Sequence, residues 1–324
     1  MQIILRNHGL IYPTRGNLPE SFSFAQSPQI LNVENIRRVY FSSRTMDNTG
    51  KPVSCVNYVD FSSDFEEIIG SSIGSVVERG ALGTFDEHGI FPFHPKVLNG
   101  KVYAFSTGWS RRVSVSIETA IGLLKGNSRG TKFQRVGDGP LLGASLTEPF
   151  LVGDAFVVEG RNGNFFMYYI AGVKWKVDSQ KSSQPERIYK IHMAISSDLV
   201  NWERLNRNLI SDVLGDDECQ ALPSVISSRD GFLMAFCYRE AFKFRDDTRM
   251  AYRLGFAISK DGLEWVRADE KFSILPHVTG WDRYMRCYPH LFMIDDRIAI
   301  LYNGNKFGED GFGLAIQESE PKLF

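Results

Sequence analysis

The chain has 324 residues, a formal net charge of −1, an aromatic content of 13% and 29 glycines. Charge this close to neutral leaves no electrostatic footprint for nucleic acid or for an anionic membrane surface. Many aromatics and glycines suit short strands joined by tight turns, and all-β folds reach this length as one domain. The four cysteines, Cys55, Cys219, Cys237 and Cys287, form no CxxC pair, so neither a metal site nor a disulfide framework is signalled and no cofactor is expected. The opening run MQIILRNHGLIYP has too short an apolar stretch for a signal peptide, and no segment reaches membrane-spanning length. A cytoplasmic protein without membrane insertion is the expectation.

Taken in order, the strands fall into recurring sets of four. First strands read SPQILNV (from Ser27), HPKVLNG (His94), DAFVVEG (Asp154), LPSVISS (Leu222) and YPHLFMI (Tyr288). Second strands read RVYFSSR (Arg38), KVYAFSTGW (Lys101), NFFMYYIAG (Asn164), FLMAFCYRE (Phe232) and IAILYNGN (Ile298). Turn pairs such as Asn99-Gly100 and Asp230-Gly231 lie between the members, the strongest short hairpin signal. Third strands begin at Cys55, Val113, Tyr189, Tyr252 and Phe312, and fourth strands follow, as in WERLNRNLI and WVRADEKFSIL. The polar stretch Asp178–Glu186 reads as a loop.

This spacing predicts an all-β, five-bladed β-propeller with four-stranded antiparallel blades. The blades fall at about residues 25–80, 88–142, 150–212, 218–277 and 284–320, in one domain over 1–324. The fifth blade stops after three strands. Ile3–Tyr12 resembles the missing fourth, so residues 1–13 are expected to close the ring and remove the open edge. A repeat supports this reading: ISSDLVNW at Ile195–Trp202 returns as ISKDGLEW at Ile258–Trp265, with a weaker copy at Asp60–Phe65. Its Asp fixes a turn and its Trp fills the gap between sheets.

In such a blade the start of the first strand and the end of the second lie at one end of the axis. The side chains expected there are Ser27, His94, Asp154, Leu222 and Tyr288, with Arg44, Trp109, Arg111, Lys174, Arg239, Glu240, Asn303, Asn305 and Lys306. Segments ahead of the first strands add Asp86, Glu87, His88, Asp216, Asp217, Glu218, Asp282 and Arg286. These residues differ from blade to blade, which points to a single asymmetric pocket and not to one site per blade.

The blade pattern and the SxDxxxW repeat resemble the five-bladed propeller glycosidases, the superfamily containing glycoside hydrolase families 32, 43, 62, 68 and 130. Glu218-Cys219 is similar to the Glu-Cys motif that carries the general acid in the invertase-like branch. Asp154 sits where that superfamily places an Asp ahead of its Asp-Pro motifs. The pattern departs at Ala155, where Pro is usual, at Ser27-Pro28, where Asp-Pro is expected, and at His94-Pro95, and Glu218 falls in the fourth blade. The resemblance implies Glu218 as acid, Asp154 as stabiliser, and Asp86 or Glu87 as base or nucleophile, a division of labour that glycoside cleavage requires. From their expected places at the axis, His94, Trp109, Arg111, Arg239, Arg286, Tyr288 and Asn303 are the candidate substrate contacts. The cations favour an anionic carbohydrate: a phosphate, a uronate or a nucleotide-linked sugar. The expected function is cleavage or transfer of a glycosidic bond by carboxylate acid/base catalysis. A phosphorylase-like enzyme with a basic phosphate pocket and a non-catalytic glycan-binding propeller are the alternatives. The bland readings are a salt bridge from Glu218 to Arg239 or Arg286 and a strand-entry cap for Asp154.

Overall fold

A computed structural model describes residues 2–72, 74–160, 163–178, 184–228 and 230–318, so residues 179–183 of the expected loop lie outside the described residues. The first strand, β1 (Ile3–Pro13), does not start the first sheet. Blade I runs through β2 (Ser23–Val33), β3 (Ile36–Met46), β4 (Pro52–Phe61) and β5 (Ile68–Ser71). Blade II holds β6 (Ile90–Leu98), β7 (Lys101–Arg111), β8 (Ile117–Gly126) and β9 (Phe133–Arg135). Blade III holds β10 (Val152–Glu159), β11 (Phe165–Lys176), β12 (Glu186–Ser196) and β13 (Glu203–Arg204). Blade IV holds β14 (Cys219–Ser227), β15 (Phe232–Arg239), β16 (Arg253–Ser259) and β17 (Val266–Arg267). Blade V is β19 (Cys287–Ile294), β20 (Arg297–Asn303) and β21 (Gly311–Gln317), with β1 antiparallel to β21 as its fourth strand. The short β18 (Phe272–Ile274) adds a parallel edge to β1. The chain is a five-bladed propeller closed by its N-terminal strand.

Each cleft between neighbouring blades has its own apolar filling. Tyr40, Phe93 and Phe133 fill the cleft between blades I and II, and Phe105, Tyr169 and Leu142 that between II and III. Tyr168, Met193 and Phe236 follow, then Phe256, Leu291 and Tyr302, and Phe41, Phe61 and Phe312 join blade V to blade I. A buried Phe side chain contributes about 1.5–3 kcal/mol, so the ring is held by large rings wedged between sheets.

The repeated motif forms the turn between third and fourth strands, at the end of the ring opposite the entry to the inner strands. Asp198 Oδ1 accepts the Val200 and Asn201 amides at 2.9 and 2.7 Å, and Asp261 Oδ1 accepts those of Leu263 and Glu264 at 2.8 and 3.0 Å. Trp202 and Trp265 donate their indole N–H to the carbonyls of Leu199 and Gly262. Each indole lies edge-on to a ring of the preceding blade, Phe105 and Tyr168 respectively. In the weaker copy Asp64 accepts the Glu66 amide in the same way.

At the other end, all five inner strands carry a β-bulge at the same place, and β2 has a further register shift between Ser23 and Gln26. Pairing slips between Gln26 and Gln29, Ile90 and Phe93, Gly153 and Phe156, Ala221 and Ser224, and Cys287 and His290. The bulged residues are Ser27-Pro28, Phe91-Pro92, Asp154-Ala155, Leu222-Pro223 and Tyr288-Pro289. Ser27, Asp154, Leu222 and Tyr288 adopt φ of 53°, 54°, 50° and 56°, and Phe91-Pro92 is a cis peptide. The left-handed conformation costs a non-glycine residue about 1–2 kcal/mol. Bulges of this kind re-aim side chains and recur beside functional sites.

The bulges correct the register of blade II. The axial position belongs to Phe91, not to His94, which lies three residues deeper in β6. Two X-Pro pairs within five residues left the hydrophobic pattern two registers to choose from.

Candidate active site

Four of the bulge residues, Phe91, Asp154, Leu222 and Tyr288, line a cavity of about 890 Å³ at the entry to the inner strands. The ends of the second strands add Arg44, Trp109 and Arg239, and the starts of the third strands add Ile117, Arg187, Tyr189 and Tyr252. Connecting segments supply Glu20, Phe22, Phe244 and Arg245, and the start of β2 adds Phe24.

Asp154 stands at the centre of this arrangement. The adjoining blade catches its backbone, whose N–H donates to Thr107 Oγ1 at 2.7 Å. Its Oδ2 accepts the Leu222 N–H at 3.1 Å, so the carboxyl also spans blades III and IV. No arginine or lysine ion-pairs with it among the described residues. Burial therefore dominates and pushes its pKa up to about 7, against weaker opposing effects from the Leu222 amide and the Arg187 charge. A carboxyl poised there can give or take a proton near neutrality.

The cations around it lack the usual partners. Arg44 Nε donates to Gln26 Oε1 at 3.3 Å, and its guanidinium lies 5.8 and 5.7 Å from the Phe91 and Trp109 rings. Among the described residues the Arg187 guanidinium has one hydrogen-bond partner, Ser116 Oγ at 3.5 Å. Arg239 is buried, donating to the Glu240 and Ala241 carbonyls and to Tyr189 Oη, with its guanidinium 3.6 Å from the Phe244 ring. Tyr189 and Tyr252 share a 2.6 Å hydrogen bond on the same wall.

Of the residues expected from the sequence, Arg44, Trp109, Asp154, Leu222, Arg239 and Tyr288 meet in this cavity. The structure places the others elsewhere, and for four of them a repeated contact explains why. Glu218 is fully buried, pairs with Arg267 at 2.7 Å, and accepts the Val213 and Leu214 amides and the Gln220 side-chain amide. Its partner is thus neither Arg239 nor Arg286. Arg267 lies on β17, the outer strand of the same blade. Asp86 repeats the contact in blade II with Arg135 on β9 at 2.6 Å, and Glu148 repeats it in blade III with Arg204 on β13 at 2.5 Å. In blade V Asp282 accepts from Asn7 on β1 and pairs with Arg286 at 2.8 Å. A carboxylate ahead of each inner strand thus latches the connecting segment to the outer strand in blades II to V. Asp86, Glu218, Asp282 and Arg286 are members of that set, which corrects their assignment to the pocket.

Glu87 lines a smaller cavity of about 500 Å³ with Asp47, Arg79 and His88. Arg111 is taken up by Asp47 at 3.0 Å. Asn303 is wholly buried, holding Ser27 N–H and the carbonyls of Ala25 and Gly311. The His94 ring is packed 4.0 Å from Phe156, and its burial keeps it neutral. Among the described residues no group of three or more His, Cys, Asp or Glu side chains is placed to hold a metal ion.

Sequence reasoning missed Arg187, Tyr189 and Tyr252, because third-strand starts were not counted among the axial positions. One signal was present: YKIHMAIS and YRLGFAIS both open on the Tyr that faces the cavity.

No protein-family model matches the chain. An uncharacterized protein of Mycobacterium tuberculosis, MT1551, is 28% identical over 317 residues, 97% of this chain and 99% of that protein. A solved glycoside hydrolase superposes with a TM-score of 0.71 at 14% identity, over 98% of this chain and 93% of its own. The β-1,2-mannobiose phosphorylase of Listeria innocua superposes with a TM-score of 0.62 at 11% identity, over 93% and 92%. At these identities the likeness is one of fold: the chain shares the five-bladed propeller of these glycoside hydrolases and phosphorylases.

Proposed function

We propose that the chain is a carbohydrate-active enzyme that cleaves or transfers a glycosidic bond in the axial pocket. Asp154 moves the proton, and Arg44 and Arg187 hold an anionic group of the substrate or co-substrate. The observation that carries this reading is a central carboxyl kept near a pKa of about 7, in a cavity whose wall includes aromatic rings and, among the described residues, the Arg44 and Arg187 guanidiniums without a carboxylate partner. The fold supports it, since solved propellers of this shape include glycoside hydrolases and a phosphorylase.

Hydrolysis by two carboxylates requires a pair roughly 5–9.5 Å apart across the sugar. The other carboxyl on the cavity wall is Glu20, on the segment that enters β2, and the expected partners Glu218, Asp86 and Glu87 are engaged elsewhere. One carboxyl with cations favours a reaction whose second reactant is itself an anion. In phosphorolysis, Asp154 would protonate the leaving glycosidic oxygen while inorganic phosphate, held by the guanidiniums, bonds to the anomeric carbon.

The test is turnover of glycosides and oligosaccharides with and without inorganic phosphate, by the parent and by Asp154→Asn. General acid–base catalysis is worth about 10²–10⁴-fold, so the variant should lose that much turnover while still binding substrate. An Asn variant with parental turnover removes Asp154 from the chemistry. Saturable binding without turnover of any compound favours the glycan-binding alternative.

A further inference from the structure

The axial cavity carries a charge and a shape that a neutral sugar does not use. Among the described residues Arg44, Arg187 and Arg239 line it without a carboxylate partner, and Glu20 is the one rim carboxyl opposing them. Three guanidiniums against Glu20 and Asp154 leave the cavity with an excess of positive charge. Arg44 is already held below the usual arginine range, first by burial and then by repulsion from Arg187. Two like charges so placed are relieved by an anion between them, and guanidinium forks match phosphate oxygens.

Flat apolar surface lies beside that charge. Phe22, just ahead of β2, and Phe24, at its start, line the cavity half-buried, and neither contacts another aromatic ring among the described residues. Phe91, under the Arg44 guanidinium, continues the surface. Open ring faces next to unpaired guanidiniums fit a planar base joined to phosphates, because bases stack on aromatic rings and phosphates pair with arginine. A hydrocarbon chain would use the rings but leave the polar Tyr189–Tyr252–Arg239 wall unmet, and a uronate would supply one charge and no flat face.

The geometry points to a nucleoside diphosphate-linked sugar as the substrate class: base against Phe22 and Phe24, diphosphate between Arg44 and Arg187, sugar toward Asp154. This rests on Asp154 being the reacting end of the pocket. In the reaction the bond from the anomeric carbon to the diphosphate oxygen breaks, and the nucleoside diphosphate leaves with the electron pair. The anomeric carbon bonds to the oxygen of water or of a sugar hydroxyl, whose proton passes to the Asp154 carboxylate.

The test is calorimetric titration of the intact protein with uridine, thymidine, guanosine, adenosine and cytidine diphosphates, and with pyrophosphate, glucuronate and geranyl diphosphate. One nucleoside diphosphate should bind at one site per chain about tenfold or more tighter than pyrophosphate, the scale of base stacking. Phe22→Leu with Phe24→Leu should erase that advantage and leave pyrophosphate binding unchanged, whereas Arg44→Met should weaken both. The inference is overturned if no nucleoside diphosphate exceeds pyrophosphate, or if geranyl diphosphate or glucuronate binds best; Asp154 then keeps its proposed role. If instead a nucleoside diphosphate binds as expected but Asp154→Asn turns over its sugar conjugate at the parental rate, the proton-transfer reading fails and the substrate class stands.

Discussion

Two buried carboxyls, Glu218 and Asp154, stand near the start of inner strands and have opposite surroundings. Glu218 has an arginine, two backbone amides and a side-chain amide, and its contact recurs through Asp86, Glu148 and Asp282 in the other latched blades. Asp154 has one backbone amide and no cation paired to it, and its bulge position holds Ser27, Phe91, Leu222 or Tyr288 in the other blades. In a ring of repeated units, what repeats holds the ring and what differs is free to serve a ligand. A fully satisfied carboxylate stabilises the fold. A desolvated, half-satisfied one costs stability, and such costs concentrate at functional sites.

The frame can be broken most severely at its closure. Deleting residues 2–13 removes β1, which joins β21 to β18 and carries Asn7 of the blade V latch. An exposed edge is a pairing template, so the truncated chain should aggregate or lose cooperative unfolding, as read by light scattering and thermal melting. An unchanged melting curve in a monomeric product would show that β1 is dispensable.

A smaller effect comes from one latch. Glu218→Gln leaves Arg267 buried with Asp269 as its one charged partner among the described residues. Removing one member of a buried pair costs about 3–5 kcal/mol, and the remaining Asp269 contact places this case at the lower end. Denaturant titration should show that loss while turnover per folded molecule stays parental. Loss of turnover in a stably folded variant would return Glu218 to the catalytic role that its Glu-Cys motif suggests.

The smallest effect is expected at the far end of the ring. Asp261→Ala removes the acceptor for the Leu263 and Glu264 amides in an exposed turn. Its melting temperature should fall less than that of Glu218→Gln, with ligand binding in the axial cavity unchanged. Altered ligand affinity would tie this turn to the pocket.

The sequence made the blade count, the closing strand and the Ser-Asp-Trp turns legible, because each follows from periodicity or from turn chemistry carried by adjacent residues. Asp154 was legible for the same reason, as the lone acid at a position otherwise read as Ser27, His94, Leu222 and Tyr288. Glu218 was misread because its motif is local, whereas Arg267, the residue that explains it, lies 49 positions away. The register of blade II failed because Phe91-Pro92 and His94-Pro95 offer equivalent turn signals and only strand pairing separates them. Arg187 escaped because the start of a third strand, which antiparallel pairing brings beside the end of the second, was not counted among the axial positions.

The central claim is that Asp154 is held for chemistry at a cost to the fold, and the pH dependence of its stability tests this most directly. Its folded pKa of about 7 lies above the unfolded carboxyl value near 3.9. Between the two the folded chain keeps a proton that the unfolded chain has lost, so stability falls as pH rises through that window and stays low above it. Each tenfold difference in proton affinity between the folded and unfolded chain is worth about 1.4 kcal/mol, so the penalty reaches a few kcal/mol. Asp154→Asn has no such titration and can still accept the Leu222 amide. Compared by denaturant unfolding, variant and parent should be nearly equal at pH 4, and the variant should be the more stable at pH 8. A variant less stable than the parent at pH 8, or a difference independent of pH, would show that the Asp154 carboxylate caps a strand and serves the fold alone.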